Sequence, residues 1–256
     1  MNGQVRDIEG NIKKNIKLGS VFDAPYRPDL ISRVVAASQS IQKQVQGRNP
    51  MAGKRTSAVS LGVGRAQARV PRVKGAGTRT AGAGIFAPMT VGGRLAQPPR
   101  TNKVLFKKIN KKEKAIALDS AIAATTNIRL VKNRGHIVDG LETPLLIFDD
   151  KIQTIKRTRT LVDLLDKVGL AKELERARNR HIRAGKEKRR GLKYKGCKGP
   201  LIVAERLGID NAARNIPGVD VVPLGKLCVE HLAPGGQAGR LVIWSESAIN
   251  ALNERR

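Results

Sequence analysis

Leu145-Leu146-Ile147-Phe148 is a run of four apolar residues bounded by Pro144 on one side and Asp149-Asp150 on the other. Leu201-Ile202-Val203-Ala204 and Leu241-Val242-Ile243-Trp244 repeat the pattern, with Gly218-Val219-Asp220-Val221-Val222 between them. Short apolar runs without polar alternation read as strands buried on both faces, which is the habit of parallel sheets. The segments between them read as helices. One starts at about Thr160 (Leu161, Leu164, Leu165, Val168), and a basic helical segment runs from Ala171 to about Lys188. A short helix lies around Asn211 to Asn215, and Ser245 caps a last one through about Leu252. Strands alternating with helices predict an α/β fold: an open, mostly parallel sheet flanked by helices, with Rossmann-like topology.

Toward the N-terminus, Gln4 to Leu18 reads as a β-hairpin turning at Glu9-Gly10. A helix starts at Pro28, where proline suits the first helical position and Asp29 the first turn. Leu30, Ile31, Val34, Val35, Ser38, Ile41 and Val45 then make one face at three-four spacing, fading at Gly47 before Asn49-Pro50. Asn110 with Glu113 has the form of a capping box and opens a helix with a small-residue face: Ala115, Ile116, Leu118, Ala121, Ile122, Ala124.

Between these two helices the chain changes character. Residues 30–112 contain no Asp or Glu, where about seven would be expected at the whole-chain frequency. From Met51 to Pro99 neither helical nor strand periodicity persists, and glycine and proline recur throughout. So long an irregular stretch is functional or disordered rather than a routine connection. Val63, Val70, Val73, Ile85, Phe86, Met89, Val91 and Leu95 are more apolar than a solvated linker needs. Residues 47–103 are therefore assigned as an extended, non-globular Gly/Arg-rich arm, and 1–46 with 104–256 as the globular α/β body. Doubled back on itself, the arm reaches at most about 90 Å, at about 3.3 Å per residue.

The whole chain of 256 residues carries 49 Lys+Arg against 21 Asp+Glu, a formal charge of +28. Charge of that size opposes compaction until a polyanion neutralises it, which makes nucleic acid the leading partner class ahead of an anionic membrane. No apolar run is long enough to span a bilayer and no signal-peptide core is present, so a cytoplasmic location is expected. Cys197 and Cys228 read as two reduced thiols; no metal-ligand spacing links them to His136, His181 or His231. An enzyme is not expected. Gly62-Val63-Gly64, Gly75-Ala76-Gly77 and Gly82-Ala83-Gly84 are half-fingerprints for a dinucleotide, but none lies between a buried strand and a helix. Asp149-Asp150 follows a strand, yet sequence neighbours point apart. No cofactor is implied.

A second basic stretch, Lys172 to Lys198, holds Arg176, Arg178, Arg180, Arg183, Lys186, Lys188, Arg189, Arg190, Lys193 and Lys195 against three glutamates. Solvated helix faces usually interleave signs, so this imbalance points to phosphate. The few aromatics form no stacking platform for single strands, and no recognition-helix or zinc-finger pattern occurs. A glycine- and arginine-rich arm suits threading among folded RNA helices, read by shape and phosphate. A chromatin-type DNA binder and an enzyme on a Rossmann-like body are the rival readings.

Ser60-Leu61-Gly62-Val63-Gly64-Arg65-Ala66-Gln67-Ala68-Arg69-Val70-Pro71-Arg72-Val73 closely resembles the arm of the large-subunit ribosomal protein four family. So do Gly75-Ala76-Gly77-Thr78-Arg79-Thr80 and Gly92-Gly93-Arg94, and, in the second half, Arg214-Asn215-Ile216-Pro217-Gly218-Val219 and Leu232-Ala233-Pro234-Gly235-Gly236. The blocks are similar to the archaeal and eukaryotic branch, and the lack of a long basic tail favours an archaeal source. The resemblance implies a structural constituent of the large ribosomal subunit that binds 23S-type rRNA, supports assembly and adjoins neighbouring ribosomal proteins. It also implies an arm tip in the wall of the nascent-peptide exit tunnel, touching the nascent peptide. Carried onto this sequence, the tip falls at Arg69, Val70, Pro71, Arg72, Val73, Lys74, Gly75, Thr78 and Arg79. The RNA contacts are then Arg48, Lys54, Arg55, Arg94 and Arg100 on the stem, Arg65, Arg69, Arg72, Lys74 and Arg79 toward the tip, and Arg189, Arg190, Lys193 and Lys195 on the body.

Overall fold

The computed structural model describes residues 2–139, 141, 143–206 and 208–254. In chain order the elements are β1 (Asn2–Arg6), β2 (Ile12–Lys17), α1 (Pro28–Ile41), β3 (Ala58–Val59), β4 (Arg72–Val73), α2 (Lys111–Thr126), α3 (Ile128–Asn133) and β5 (Leu145–Phe148). There follow α4 (Thr158–Lys167), α5 (Ala171–Arg178), β6 (Arg180–Ile182), β7 (Tyr194–Gly196), β8 (Leu201–Ala204), α6 (Asp210–Ala213) and β9 (Asp220–Pro223). The chain closes with α7 (Val229–Leu232), β10 (Val242–Ser245) and α8 (Glu246–Glu254). Contacts divide it into two units: Met1–Gln39 with Lys107–Arg256, and Ser40–Phe106.

The first unit is built on a six-stranded sheet in the order β2-β1-β5-β10-β8-β9. Every neighbouring pair is parallel except the β1–β2 hairpin at the edge. Strands β5, β8 and β10 are buried at all four positions, as their unbroken apolar runs require. Alternate residues of a strand face opposite sides, and the core divides accordingly. Leu145, Ile147, Leu201, Val203, Val242 and Trp244 pack with Ile31, Val34 and Val35 of α1, the alanines of α2, and Ile249 and Leu252 of α8. Leu146, Phe148, Ile202 and Ile243 pack on the other side with Val131 of α3, Leu161, Leu164 and Leu165 of α4, and Ala212 and Ala213 of α6. This is a mixed α/β body with a mostly parallel central sheet. Its strand order is neither of the two common doubly wound orders. The last parallel strand, β10, inserts between β5 and β8, and a cleft lined by Asp150, Gln153, Glu205, Arg206 and Ser247 lies at the C-terminal ends of these three strands.

Local expectations fare unevenly. Ser245 caps α8 through its Oγ, which accepts from the Ala248 N–H at 3.3 Å. Helix α1 stops at Ile41 rather than at Gly47, and Ile41 and Val45 are exposed, because the core that buries Ile31, Val34 and Val35 does not extend to them. The capping box at Asn110 is not formed: Asn110 makes no side-chain cap, and the Glu113 carboxylate faces Arg33 at 3.5 Å instead. The expected basic helix from Ala171 to Lys188 ends at Arg178. Beyond it, Arg180–Ile182 and Tyr194–Gly196 pair as an antiparallel hairpin whose residues are all exposed. Helices gain most of their stability from burying an apolar stripe, and 179–196 has none. Gly185 and Gly191, at φ 77° and 87°, bend the chain where helix would otherwise continue.

Candidate nucleic-acid interface

The Ser40–Phe106 unit is built without a core. From Ile41 to Phe106 not one residue is buried, and its only ladder is the two-residue pair β3–β4, with Val59 opposite Arg72. What order it has comes from backbone crossing backbone. The Arg48 N–H donates to the Pro99 carbonyl at 3.0 Å, joining the outgoing and returning chains. Further along the two chains touch directly: a Cβ on Gly53, whose φ is 77°, would lie 2.5 Å from the Gly93 carbonyl carbon and oxygen. Only glycine permits both that φ and that approach.

Pro71-Arg72-Val73 is the centre of a three-chain patch. Residues 58–59 lie on one side of it; on the other, the Val73 N–H donates to Ala83 O at 3.0 Å and the Ile85 N–H to Pro71 O at 2.9 Å. Two loops issue from this patch. Residues 60–71 carry Arg65 and Arg69, and residues 74–81 carry Lys74, Thr78 and Arg79, all exposed. The expected tip residues are thus brought together on two neighbouring loops, with Arg72 between them. Arg72 is half-buried and donates to Gly82 O at 2.9 Å, so it also ties the loops together. Its Nε has no hydrogen-bond partner among the described residues. Arg48, Lys54, Arg55 and Arg100 are exposed and Arg94 half-buried. The unit contains no Asp or Glu, so none of its cations is neutralised from within.

On the body, Arg189, Arg190, Lys193 and Lys195 sit on the turn and second strand of the β6–β7 hairpin, all exposed. A buried cluster fixes the root of this hairpin. Glu173 of α5 is fully buried; its carboxylate accepts from Arg176 Nε at 2.8 Å, from a terminal Arg176 nitrogen at 2.6 Å and from the Ile137 N–H at 2.9 Å. His136 Nδ1 lies 2.6 Å away on the same carboxylate, and Arg176 donates onward to the Lys198 carbonyl at 2.9 Å. Burial alone would raise the Glu173 carboxyl, but the bonds from Arg176 and His136 outweigh it and hold it at about 2. Burial pushes the His136 imidazole down, keeping it neutral at pH 7. Close by, fully buried Arg240 reaches Asp220 at 2.6 Å and donates to the carbonyls of Gly199 and His231, each at 2.9 Å. These clusters pin strand ends and loops.

Asp149 and Asp150 also resolve as structural groups. Asp149 pairs with Lys13 at 2.6 Å, and that bond holds its carboxyl below the usual range. Asp150 Oδ1 accepts from the Ser247 N–H at the start of α8. The three half-fingerprints fall in the Ser40–Phe106 unit away from any strand–helix junction of the sheet. Among the described residues no group of His, Cys, Asp and Glu is placed to hold a metal, and no helix is long and apolar enough to cross a membrane.

The sequence reading did not bring together one cleft on the body, which Arg180 and Tyr194 of the hairpin line with Arg214. They come from separate segments, and no spacing rule connects them.

The family model described as ribosomal protein L4/L1 family matches residues 16–255. The large ribosomal subunit protein uL4 of Methanoculleus marisnigri is 47% identical over 255 residues, covering 99% of both chains. Its counterpart in Methanosphaera stadtmanae is 45% identical over 252 residues, covering 98% of this chain and 95% of the relative. That of Sulfurisphaera tokodaii is 45% identical over 252 residues, covering 97% and 92%. With a coreless cationic unit and an α/β body in one chain, and likeness of this degree along almost its whole length, the chain belongs to the ribosomal protein L4/L1 family.

Proposed function

We propose that Ser40–Phe106 is an RNA-threading arm and that its two loops, bearing Arg65, Arg69, Lys74 and Arg79, reach the wall of the nascent-peptide exit tunnel. Membership of the family makes the chain a structural protein of the large ribosomal subunit in the cytoplasm, and not an enzyme. On this reading Arg48, Lys54, Arg55, Arg94 and Arg100 hold phosphates of 23S-type rRNA along the stem. The body docks through the hairpin that carries Arg189, Arg190, Lys193 and Lys195. Val70, Pro71, Val73, Gly75 and Thr78 shape the end that meets the nascent peptide, and neighbouring ribosomal proteins cover other parts of the body.

The observation that carries this reading is the pairing of two absences in one segment: no buried residue from Ile41 to Phe106 and no acid. A segment with no interior cannot order itself by burial, and one with only positive charge repels itself. A folded polyanion supplies what both lack, through counterion release and charge-assisted hydrogen bonds.

The test is the salt dependence of binding between the full chain and transcribed large-subunit rRNA. Replacing Arg65, Arg69 and Arg79 with alanine should lower the log–log salt slope by about 2 to 3 and leave the body's melting temperature unchanged. An unchanged slope, or equally tight binding to duplex DNA at every salt concentration, would reject it. For the tunnel, deleting 69–79 should allow incorporation into subunits while changing the response of translation to tunnel-acting peptides. Failure of assembly would make the loops folding contacts instead.

A further inference from the structure

The β6–β7 hairpin does more than display cations. Its register sets Ile182 opposite Tyr194 and Arg180 opposite Gly196, so Arg180 and Tyr194 share one face of the ladder. Both line a cleft of about 580 Å³, with Arg214 and Asn215 contributed by the turn before β9 and Lys198 and Asp220 by the strand ends. That volume is within the range of small-ligand sites.

The cleft is preformed. Its far turn is held where Gly218, at φ 80°, lies so close to Ala177 that an added Cβ would meet the alanine methyl at 2.9 Å. The Gly199 N–H donates to the Gly218 carbonyl at 2.9 Å, and the Glu173–Arg176 cluster ties the near side through the Lys198 carbonyl.

Its charges are unequal in availability. Asp220 is neutralised twice, by Lys198 at 2.9 Å and Arg240 at 2.6 Å, and Arg214 forks onto Asp210 at 2.6 and 2.7 Å. Arg180 has no carboxylate within 4.0 Å among the described residues. The Tyr194 ring is 56% exposed, with the Lys193 ammonium 5.4 Å from its centroid. An exposed aromatic ring, an unpaired guanidinium and a side-chain amide therefore line one open cleft. An acidic peptide would use the guanidinium and leave the ring idle. A nucleotide uses all three: ring for base, guanidinium for phosphate, amide for a base edge.

We propose that this cleft receives one unpaired, splayed-out nucleotide of large-subunit rRNA. Its base stacks on Tyr194, its phosphate is held by Arg180, and the Asn215 amide faces the base edge. The proposal rests on the reading of the partner as rRNA and adds a body site, separate from the arm, that recognises a single-stranded position.

The experiment uses the full chain with transcribed large-subunit rRNA: ultraviolet crosslinking mapped by mass spectrometry, and affinities of Tyr194→Phe, Tyr194→Ala and Arg180→Ala. The expected result is a nucleotide adduct on Tyr194, binding within about twofold for Tyr194→Phe, and about tenfold weaker binding for Tyr194→Ala. Arg180→Ala should take close to one from the log–log salt slope. Because both side chains are exposed, unchanged circular dichroism melting for each variant is the control for folding. Crosslinks confined to 40–106, with Tyr194→Ala binding like the parent, would overturn the cleft site and leave the arm reading intact. A crosslink from Cys197 to another ribosomal protein in the assembled subunit, with no Tyr194 adduct, would also overturn it and give the cleft to a protein. Absence of rRNA binding by the parent chain would instead remove the arm reading on which the site rests.

Discussion

Replacing Glu173 with glutamine keeps the shape of a fully buried side chain and removes its charge. In the parent, three bonds from Arg176 and the Ile137 N–H, and the His136 contact, hold the carboxyl at about 2 instead of its ordinary 4.5. At 1.36 kcal/mol per pKa unit this is about 3 kcal/mol of stability, near the lower end of what breaking a buried ion pair costs. For a body of this size about 1 kcal/mol moves the melting temperature by about 2–4 °C, so Glu173→Gln should melt about 6–12 °C lower at pH 7. The sign with pH follows from the depressed carboxyl. Its stabilisation is complete above about 4.5 and is lost as pH falls toward 2. The gap between parent and variant should therefore stay nearly constant from pH 7 to pH 5 and shrink to about two-fifths by pH 3. Thermal melts followed by circular dichroism at 222 nm across that range decide it. Equal melting at pH 7, or a gap that does not close in acid, would refute the assignment of the cluster as a charge-stabilised pin.

Two further outcomes follow from the architecture. Trypsin acting briefly on the free chain should cut first between Arg48 and Arg100, because those residues have exposed basic sites and no buried side chain. Recovery of the α/β body from the digest checks this, and equal resistance of both units in the absence of RNA would contradict it. Gly93→Ala should disturb the 87–93 turn, since its new Cβ would lie 2.2 Å from both the Ala87 carbonyl oxygen and Thr90 Oγ1. Hydrogen exchange at amide 93, which donates to Thr90 O at 3.0 Å in the parent, should quicken while the body's melting point moves by less than about 1 °C.

The sheet was legible because its strands bury both faces, so composition alone marks Leu145–Phe148, Leu201–Ala204 and 241–244, the last one residue early against Val242–Ser245. Their order was not, because nothing in the apolar run of β10 says that it inserts between β5 and β8. The β6–β7 hairpin escaped notice for a related reason. Periodicity reports burial, and a ladder exposed at all six positions carries no burial signal. Asn110 and Glu113 had the right letters for a capping box, but Arg33 on α1 took the carboxylate, a tertiary contact that local spacing cannot see. The cationic surface was legible through what was missing, the acids of residues 30–112. The cleft with Arg180, Tyr194 and Arg214 was not, since it exists only once the turn before β9 is held beside the hairpin.

The two units use charge in opposite ways, and that contrast explains why one chain contains both. In the body, buried and half-buried acids are met by cations: Lys13 with Asp149, Lys14 with Glu246, Arg176 with Glu173, Arg214 with Asp210, and Lys198 and Arg240 with Asp220. Those pairs fix strand ends and helix starts around a core that burial already stabilises. Ser40–Phe106 holds Lys43, Arg48, Lys54, Arg55, Arg65, Arg69, Arg72, Lys74, Arg79, Arg94, Arg100 and Lys103 with no acid among them. Ordering each residue costs about 1–2 kcal/mol of backbone entropy, and no buried side chain from Ile41 to Phe106 offsets it. Had the unit carried its own acids it would have folded on its own terms and offered RNA a neutral surface. By omitting them it leaves its cations free for phosphate, so on the proposed reading the energy that orders the arm is the energy that binds it. On the same reading the body, which has its own core, supplies the end from which that coupled ordering starts.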